Sequence, residues 1–174
     1  ENPDPVLVVG SGPAGMEAAL QLSNRGHPVT LAEAGTELGG RVTRESRLPG
    51  LASYVRVRDY REHYLLTRPD VEIYFDSELS GDDILEFGFE HVIVATGSKW
   101  KRTGQGRDNR DVIPGLDTVK VVTPDDIMDG VEVTGRVVVY DLDYYYMAST
   151  LAEKLRAAGH EVAYVSDAST AASW

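Results

Sequence analysis

Cysteine is absent from this chain of 174 residues. That excludes a disulfide, a thiolate nucleophile and a Cys-ligated cluster within it. Positive charge is scarce. Seventeen Lys and Arg stand against 28 Asp and Glu, giving a net charge of −11 and a pI near 4.7. A broad face for phosphate backbones is therefore not expected, and nucleic acid is not an expected partner. An anionic ligand would have to be held by local dipoles against the overall field. No apolar run approaches the length of a membrane span, and the opening Glu1-Asn2-Pro3-Asp4-Pro5 has no signal-peptide character. The expectation is a soluble, cytoplasmic protein with no membrane partner. The first residue is not Met, from which a longer parent chain is expected. The 42% hydrophobic residues suffice for one sizeable core, or for one domain and part of another.

The informative segment is Val6-Leu7-Val8-Val9-Gly10-Ser11-Gly12-Pro13-Ala14-Gly15, an apolar strand running into Gly-x-Gly-x-x-Gly. Each glycine has its own physical reason. Gly10 permits the strand-to-helix turn, and Gly12 lets the backbone approach a diphosphate without a Cβ. Gly15 allows the helix to pack close to the strand. The helix start then offers N–H groups and a positive dipole end to phosphates. Glu33 ends the next apolar run, Val29–Ala32, where a carboxylate accepts from ribose hydroxyls. Alone this glycine pattern is weak. A preceding strand, a following helix and the answering acid make it strong.

The coarse reading along the chain is a helix over 13–25, a strand over 29–32, a turn at Leu38-Gly39-Gly40-Arg41 and a charged helix over 52–66. A strand follows at 71–75, then a helix over 82–87 started at Ser80. Val92–Ala95 reads as a fully apolar strand ending in Thr96-Gly97, and 99–111 as a solvated loop. A second strand–helix–strand occupies 137–140, 147–158 and 162–165. It is a weak repeat of the first, since Gly26-His27-x-Val29 returns as Gly159-His160-x-Val162. The implied class is α/β, a Rossmann-like doubly wound parallel sheet, and the glycine loop, Leu38–Arg41, Val94–Ser98 and the second unit together resemble the two-dinucleotide flavoprotein type. A second, degenerate Rossmann unit begins at about residue 136 and is cut short. The expected domains are 1–133, of dinucleotide-binding type, and 134–174, the start of the degenerate unit.

The second turn reads Asp141-Leu142-Asp143-Tyr144-Tyr145-Tyr146, without glycine. Bulky side chains deny a diphosphate access to the backbone, and Asp141 and Asp143 add like-charge repulsion. The tyrosines are expected to fill the vacated cleft, and NAD(P)H is not expected to bind there in the usual way.

Several further stretches carry a family likeness: Leu38–Arg41, Leu48–Leu51, Arg58–Glu62, Ala95–Trp100, Asp126–Gly130 and Met147–Leu155. With the glycine loop they resemble the C-terminal part of the trimethylamine, dimethylamine and histamine dehydrogenases, from about residue 5 to the end. The resemblance implies a parent oxidoreductase. Its N-terminal barrel carries FMN and a [4Fe–4S] cluster, and its C-terminal domains bind ADP where glutathione reductase-like relatives bind FAD. It further implies electron-transferring flavoprotein as acceptor and a homodimeric parent. Carried over by position, the cofactor-binding residues are Gly10, Ser11, Gly12, Pro13, Ala14 and Gly15 at the phosphates, and Glu33 and Ala34 at ribose and adenine. Gly40 and Arg41 form the second turn, and Ala95, Thr96 and Gly97 the closing strand. Two alternatives stay open. One is the FAD-binding portion of an NAD(P)H-dependent flavin oxidoreductase such as a dienoyl-CoA reductase; the other is a stand-alone nucleotide-binding module.

Catalytic and metal residues are not expected on this chain. His27 and His160 follow helix-ending glycines and read as caps of the last helix carbonyls. His63 and His91 have no acid or nucleophile at a meaningful spacing. Asp82-Asp83 reads as helix capping rather than a metal pair.

Overall fold

The computed structural model describes residues 3–106 and 109–172. Two compact units divide the chain: Glu1–Ser46 with Ser53–Ser98, and Arg47–Ala52 with Lys99–Trp174.

The first unit is a four-stranded parallel sheet in the order β3-β2-β1-β4. Its strands are β1 (Val6–Val9), β2 (Val29–Ala32), β3 (Val71–Tyr74) and β4 (His91–Val94). Register runs Val6 to Val29, Val6 to His91 and Val29 to Val71. Alternate β1 side chains leave on opposite faces. Val6 and Val8 join Met16, Ala19 and Leu20 of α1 (Pro13–Asn24) and Leu65 of α3 (Val55–Leu66). Leu7 and Val9 join Ala32, with Leu79, Ile84 and Phe89 packed against them. Both faces of β1 are covered, which is why it reads as an unbroken apolar run.

α3 is mostly polar and buries Leu65 alone, as its charged sequence predicts. It is tied to α1 by the Arg61 guanidinium, which donates to Glu17 at 2.8 Å. α4 (Gly81–Glu86) starts with a capping box, in which the Ser80 hydroxyl accepts from the Asp83 N–H and the Asp83 carboxylate accepts from the Ser80 N–H. The capping role read for Asp83 is thus realised.

β4 departs from the fully apolar, buried strand expected. His91 and Val94 are exposed, Val94 by 66%. Within this unit β4 is an edge strand paired with β1 alone. Two short helices are additional to the expected elements: α2 (Arg41–Glu45), which starts at the last residue of the expected turn, and α5 (Pro124–Met128).

The second unit carries β5 (Val137–Asp141), α6 (Tyr146–Ala157) and β6 (Val162–Ser166), with β5 and β6 parallel. Met147, Leu151 and Leu155 recur at helical spacing and are buried.

α1 and α6 end alike. The His27 N–H donates to the Leu22 carbonyl and the Gly26 N–H to Ser23; the His160 N–H donates to Leu155 and the Gly159 N–H to Arg156. These are paired Schellman caps. The backbone N–H groups of His27 and His160 cap the last helix carbonyls, as read from the sequence, and the His27 Nδ1 lies 2.9 Å from the Asp4 carbonyl. Among the described residues no helix is long and apolar enough to cross a membrane.

Candidate functional site

The C-terminal ends of β1, β2 and β4 bring the expected nucleotide residues to one edge of the first sheet, at the point where strand order reverses. Gly10 leaves β1 with φ 99°, and a Cβ there would stand 2.5 Å from the Ala95 carbonyl oxygen. It therefore serves the turn and also admits the exit of β4, whose Ala95 N–H donates to the Val9 carbonyl at 2.7 Å. Gly15 is needed for close approach, since its Cβ would fall 1.8 Å from the Gly10 carbonyl oxygen. Gly12 differs. Its φ of −63° suits any residue, and a Cβ would meet nothing within 4 Å. The space in front of Gly12 is open.

Gly12 is also the N-cap of α1, without a side-chain cap and without an acid in the first turn. The start of α1 thus presents N–H groups and a positive dipole end to that space. Pro13 occupies the first turn, where its missing N–H costs nothing.

Glu33 holds the loop from the side. Its Oε2 accepts the Ser11 N–H at 2.8 Å and also the Ser11 hydroxyl, and its Oε1 accepts the Gly35 N–H at 2.7 Å. Ser11 is fully buried. The acid expected at a ribose is thereby fixed to the Gly10–Gly15 loop by the protein's own hydrogen bonds. Sequence reasoning missed this link. Its only signal was a small hydroxyl residue between two loop glycines, opposite an acid at the end of β2.

The second turn docks on the first. The Gly39 N–H donates to the Ser11 carbonyl at 2.9 Å, and a Cβ on Gly40 would lie 3.2 Å from the Gly12 Cα. Arg41, half-buried, donates to the Ser98 carbonyl at 2.6 Å, tying α2 to the segment that follows Ala95-Thr96-Gly97. Pro13, Ala14, Ala34, Thr96 and Gly97 lie at this same edge and are partly or largely accessible. A hollow of about 380 Å³ lies elsewhere on this unit, between α1 and α3, and none of the expected nucleotide residues line it.

The second turn, at 141–146, is built otherwise. Tyr145 is 50% exposed, its ring 5.1 Å from that of Tyr146, and Tyr144 has φ 58°. A half-exposed ring does not fill a cleft, so the expectation for Tyr145 is corrected. Asp141 is buried and hydrogen-bonded within the turn.

Residues 4–139 match the pyridine nucleotide-disulphide oxidoreductase model. The chain belongs to that family. Residues 122–172 match a second model, the OYE-like second alpha/beta domain. Dimethylamine dehydrogenase of Hyphomicrobium sp. is 40% identical over 165 residues, which cover 90% of this chain and 22% of the relative. Histamine dehydrogenase from Rhizobium sp. 4-9 superposes over the whole chain and 27% of its own, with a TM-score of 0.96 and 49% identity. The 6-hydroxypseudooxynicotine amine oxidase from Pseudomonas geniculata N1 does so over 26% of its length, with a TM-score of 0.95 and 50% identity. The resemblance to flavin-dependent amine dehydrogenases holds, as does the α/β Rossmann-like class. The chain spans about a quarter of the length of these relatives.

Proposed function

We propose that the first unit binds ADP, in a structural rather than a redox role. The observation that carries this reading is the open space in front of Gly12, bounded by the start of α1 and by Gly40, beside a carboxylate already fixed in place. The diphosphate would lie on the Gly10–Gly15 loop, the ribose on Glu33 and the adenine along Ala34. Gly40 and Arg41 would flank the diphosphate, and Ala95-Thr96-Gly97 would close the site. Arg41 would supply charge assistance in an otherwise acidic chain. We place the nucleotide domain at 1–133 and the degenerate unit from 134 onward.

The chain would serve within a longer, homodimeric oxidoreductase of amine dehydrogenase type, cytoplasmic and coupled to electron-transferring flavoprotein, whose FMN and [4Fe–4S] chemistry lies in a barrel domain. FAD is the second reading, favoured by the match of 4–139 to the family model. Acid release and chromatography of whatever small molecule copurifies tests both. ADP without flavin absorbance supports the first reading and FAD the second. A protein that carries no adenine nucleotide, and retains none after incubation with either, contradicts both.

A further inference from the structure

β5 leads into α6 as β1 leads into α1, through a turn one residue longer, yet this turn is occupied from within. Asp141, the last residue of β5, is 3% exposed. Its Oδ1 accepts the Asp143 N–H at 3.1 Å and the Tyr144 N–H at 3.0 Å, and its Oδ2 accepts the hydroxyl of Tyr164 from β6. Backbone N–H groups in a Rossmann turn are what a cofactor phosphate would otherwise receive. In the first unit the carboxylate comes from the second strand and takes the Ser11 N–H at the side of the loop, leaving Gly12 open. In the second unit it comes from the first strand and sits inside the turn.

We propose that Asp141 is an internal stand-in for a phosphate, and that this carboxylate, not tyrosine bulk, closes the second turn to a nucleotide diphosphate. Asp141 is thus a specificity-determining residue, which leaves the chain one nucleotide site in place of two. Three observations support it. Two turn amides are consumed, the carboxylate that takes them is buried, and the Tyr145 ring is half-exposed. Partial burial and then the hydrogen bond to Asp141 push the Tyr164 phenol up to about 12, so it keeps its proton as donor. The proposal is independent of whether the first unit carries ADP or FAD.

Amide NMR of the whole chain with inorganic pyrophosphate, and separately NADPH, tests it, with Gly12 reporting on the first loop and Asp143 and Tyr144 on the second. In the wild-type chain neither probe should move the Asp143 and Tyr144 signals. In Asp141→Gly both signals should shift saturably, with at least about ten-fold tighter apparent binding than wild type; Tyr145→Ala should behave as wild type. Opening of the loop by Tyr145→Ala but not by Asp141→Gly would overturn the proposal, as would no response in Asp141→Gly or a wild-type response at Asp143 and Tyr144. Should Asp141→Gly fail to fold, hydrogen exchange in the wild-type chain decides. The Asp143 and Tyr144 amides should exchange at least about ten-fold more slowly than the Leu142 amide, and equal rates would overturn the assignment. Because Gly12 is read separately, failure of the ADP reading would be seen apart from failure here.

Discussion

Gly12→Asp separates folding from nucleotide binding, because the structure gives the two effects opposite signs. Gly12 has φ −63° and ψ 176°, and its Cβ would meet nothing within 4 Å, so the substitution introduces neither backbone strain nor a clash. It also gives α1 the side-chain cap it lacks. Asp in place of Gly at an N-cap is worth a few tenths of a kcal/mol, and a carboxylate at the positive helix end adds about 0.3–1 kcal/mol. The unliganded variant should therefore melt no lower than wild type, and up to about 2–4 °C higher. Binding should collapse. Two unit charges at about 4 Å repel by roughly 4 kcal/mol at an effective dielectric of about 20. Half of that, after solvent screening, still weakens a diphosphate by about 30-fold. Thermal unfolding with and without ADP reads both effects. Wild type at 100 times its Kd should gain about 2.7 kcal/mol, and Gly12→Asp at the same ADP concentration little. Gly15→Ala is the contrasting variant, since its Cβ would lie 1.8 Å from a backbone oxygen and should cost about 3 kcal/mol or more. A Gly12→Asp protein that unfolds, or that still takes ADP with wild-type affinity, would refute the reasoning.

Three further outcomes are expected. Glu33→Ala strands the Ser11 and Gly35 N–H groups and should destabilise the first unit by about 1–3 kcal/mol, whereas Glu33→Gln keeps an oxygen for one of the two and should cost less; equal melting temperatures for the two would contradict a carboxylate fixed by these bonds. Tyr164 has a folded-state pKa above the ordinary value of 10.0, so the stability it contributes is present below pH 10 and is lost as pH rises toward about 12; Tyr164→Phe should flatten that alkaline loss in a denaturation series across pH. Asp126, held below the ordinary carboxylate range chiefly by the Thr123 N–H, contributes stability above its ordinary pKa that is lost as pH falls through the lowered one. Thr123→Ala should remove about 1 kcal/mol at neutral pH, and denaturant unfolding checks it.

The parallel core was legible because β1 is buried on both faces and its four residues are all apolar. The glycine loop was legible because each glycine answers a separate steric demand, and Gly10 and Gly15 meet theirs in the structure. The helix ends were legible as Gly-His pairs, and the backbone N–H groups of those pairs close them, because the His at that place follows a glycine in the left-handed region. Five-residue helices such as Arg41–Glu45 are too short to show a period, and only the Thr123–Asp126 capping spacing marked α5. The exposure of Val94 depends on which strands flank β4, a property of the assembled sheet. That the second turn is acidic was legible, but the donors that hold Asp141 inside it, two backbone amides and a phenol 23 residues away, were not.

Of the two turns, the one at Gly10–Gly15 should face a nucleotide and the one at Asp141–Tyr146 should not. A crystal structure of the chain soaked with ADP tests this most directly. The predicted result is density for a diphosphate over Gly10–Gly15, with the ribose hydroxyls on Glu33 and nothing at Asp141–Tyr146. Density over the second turn, with the space in front of Gly12 empty, would contradict it.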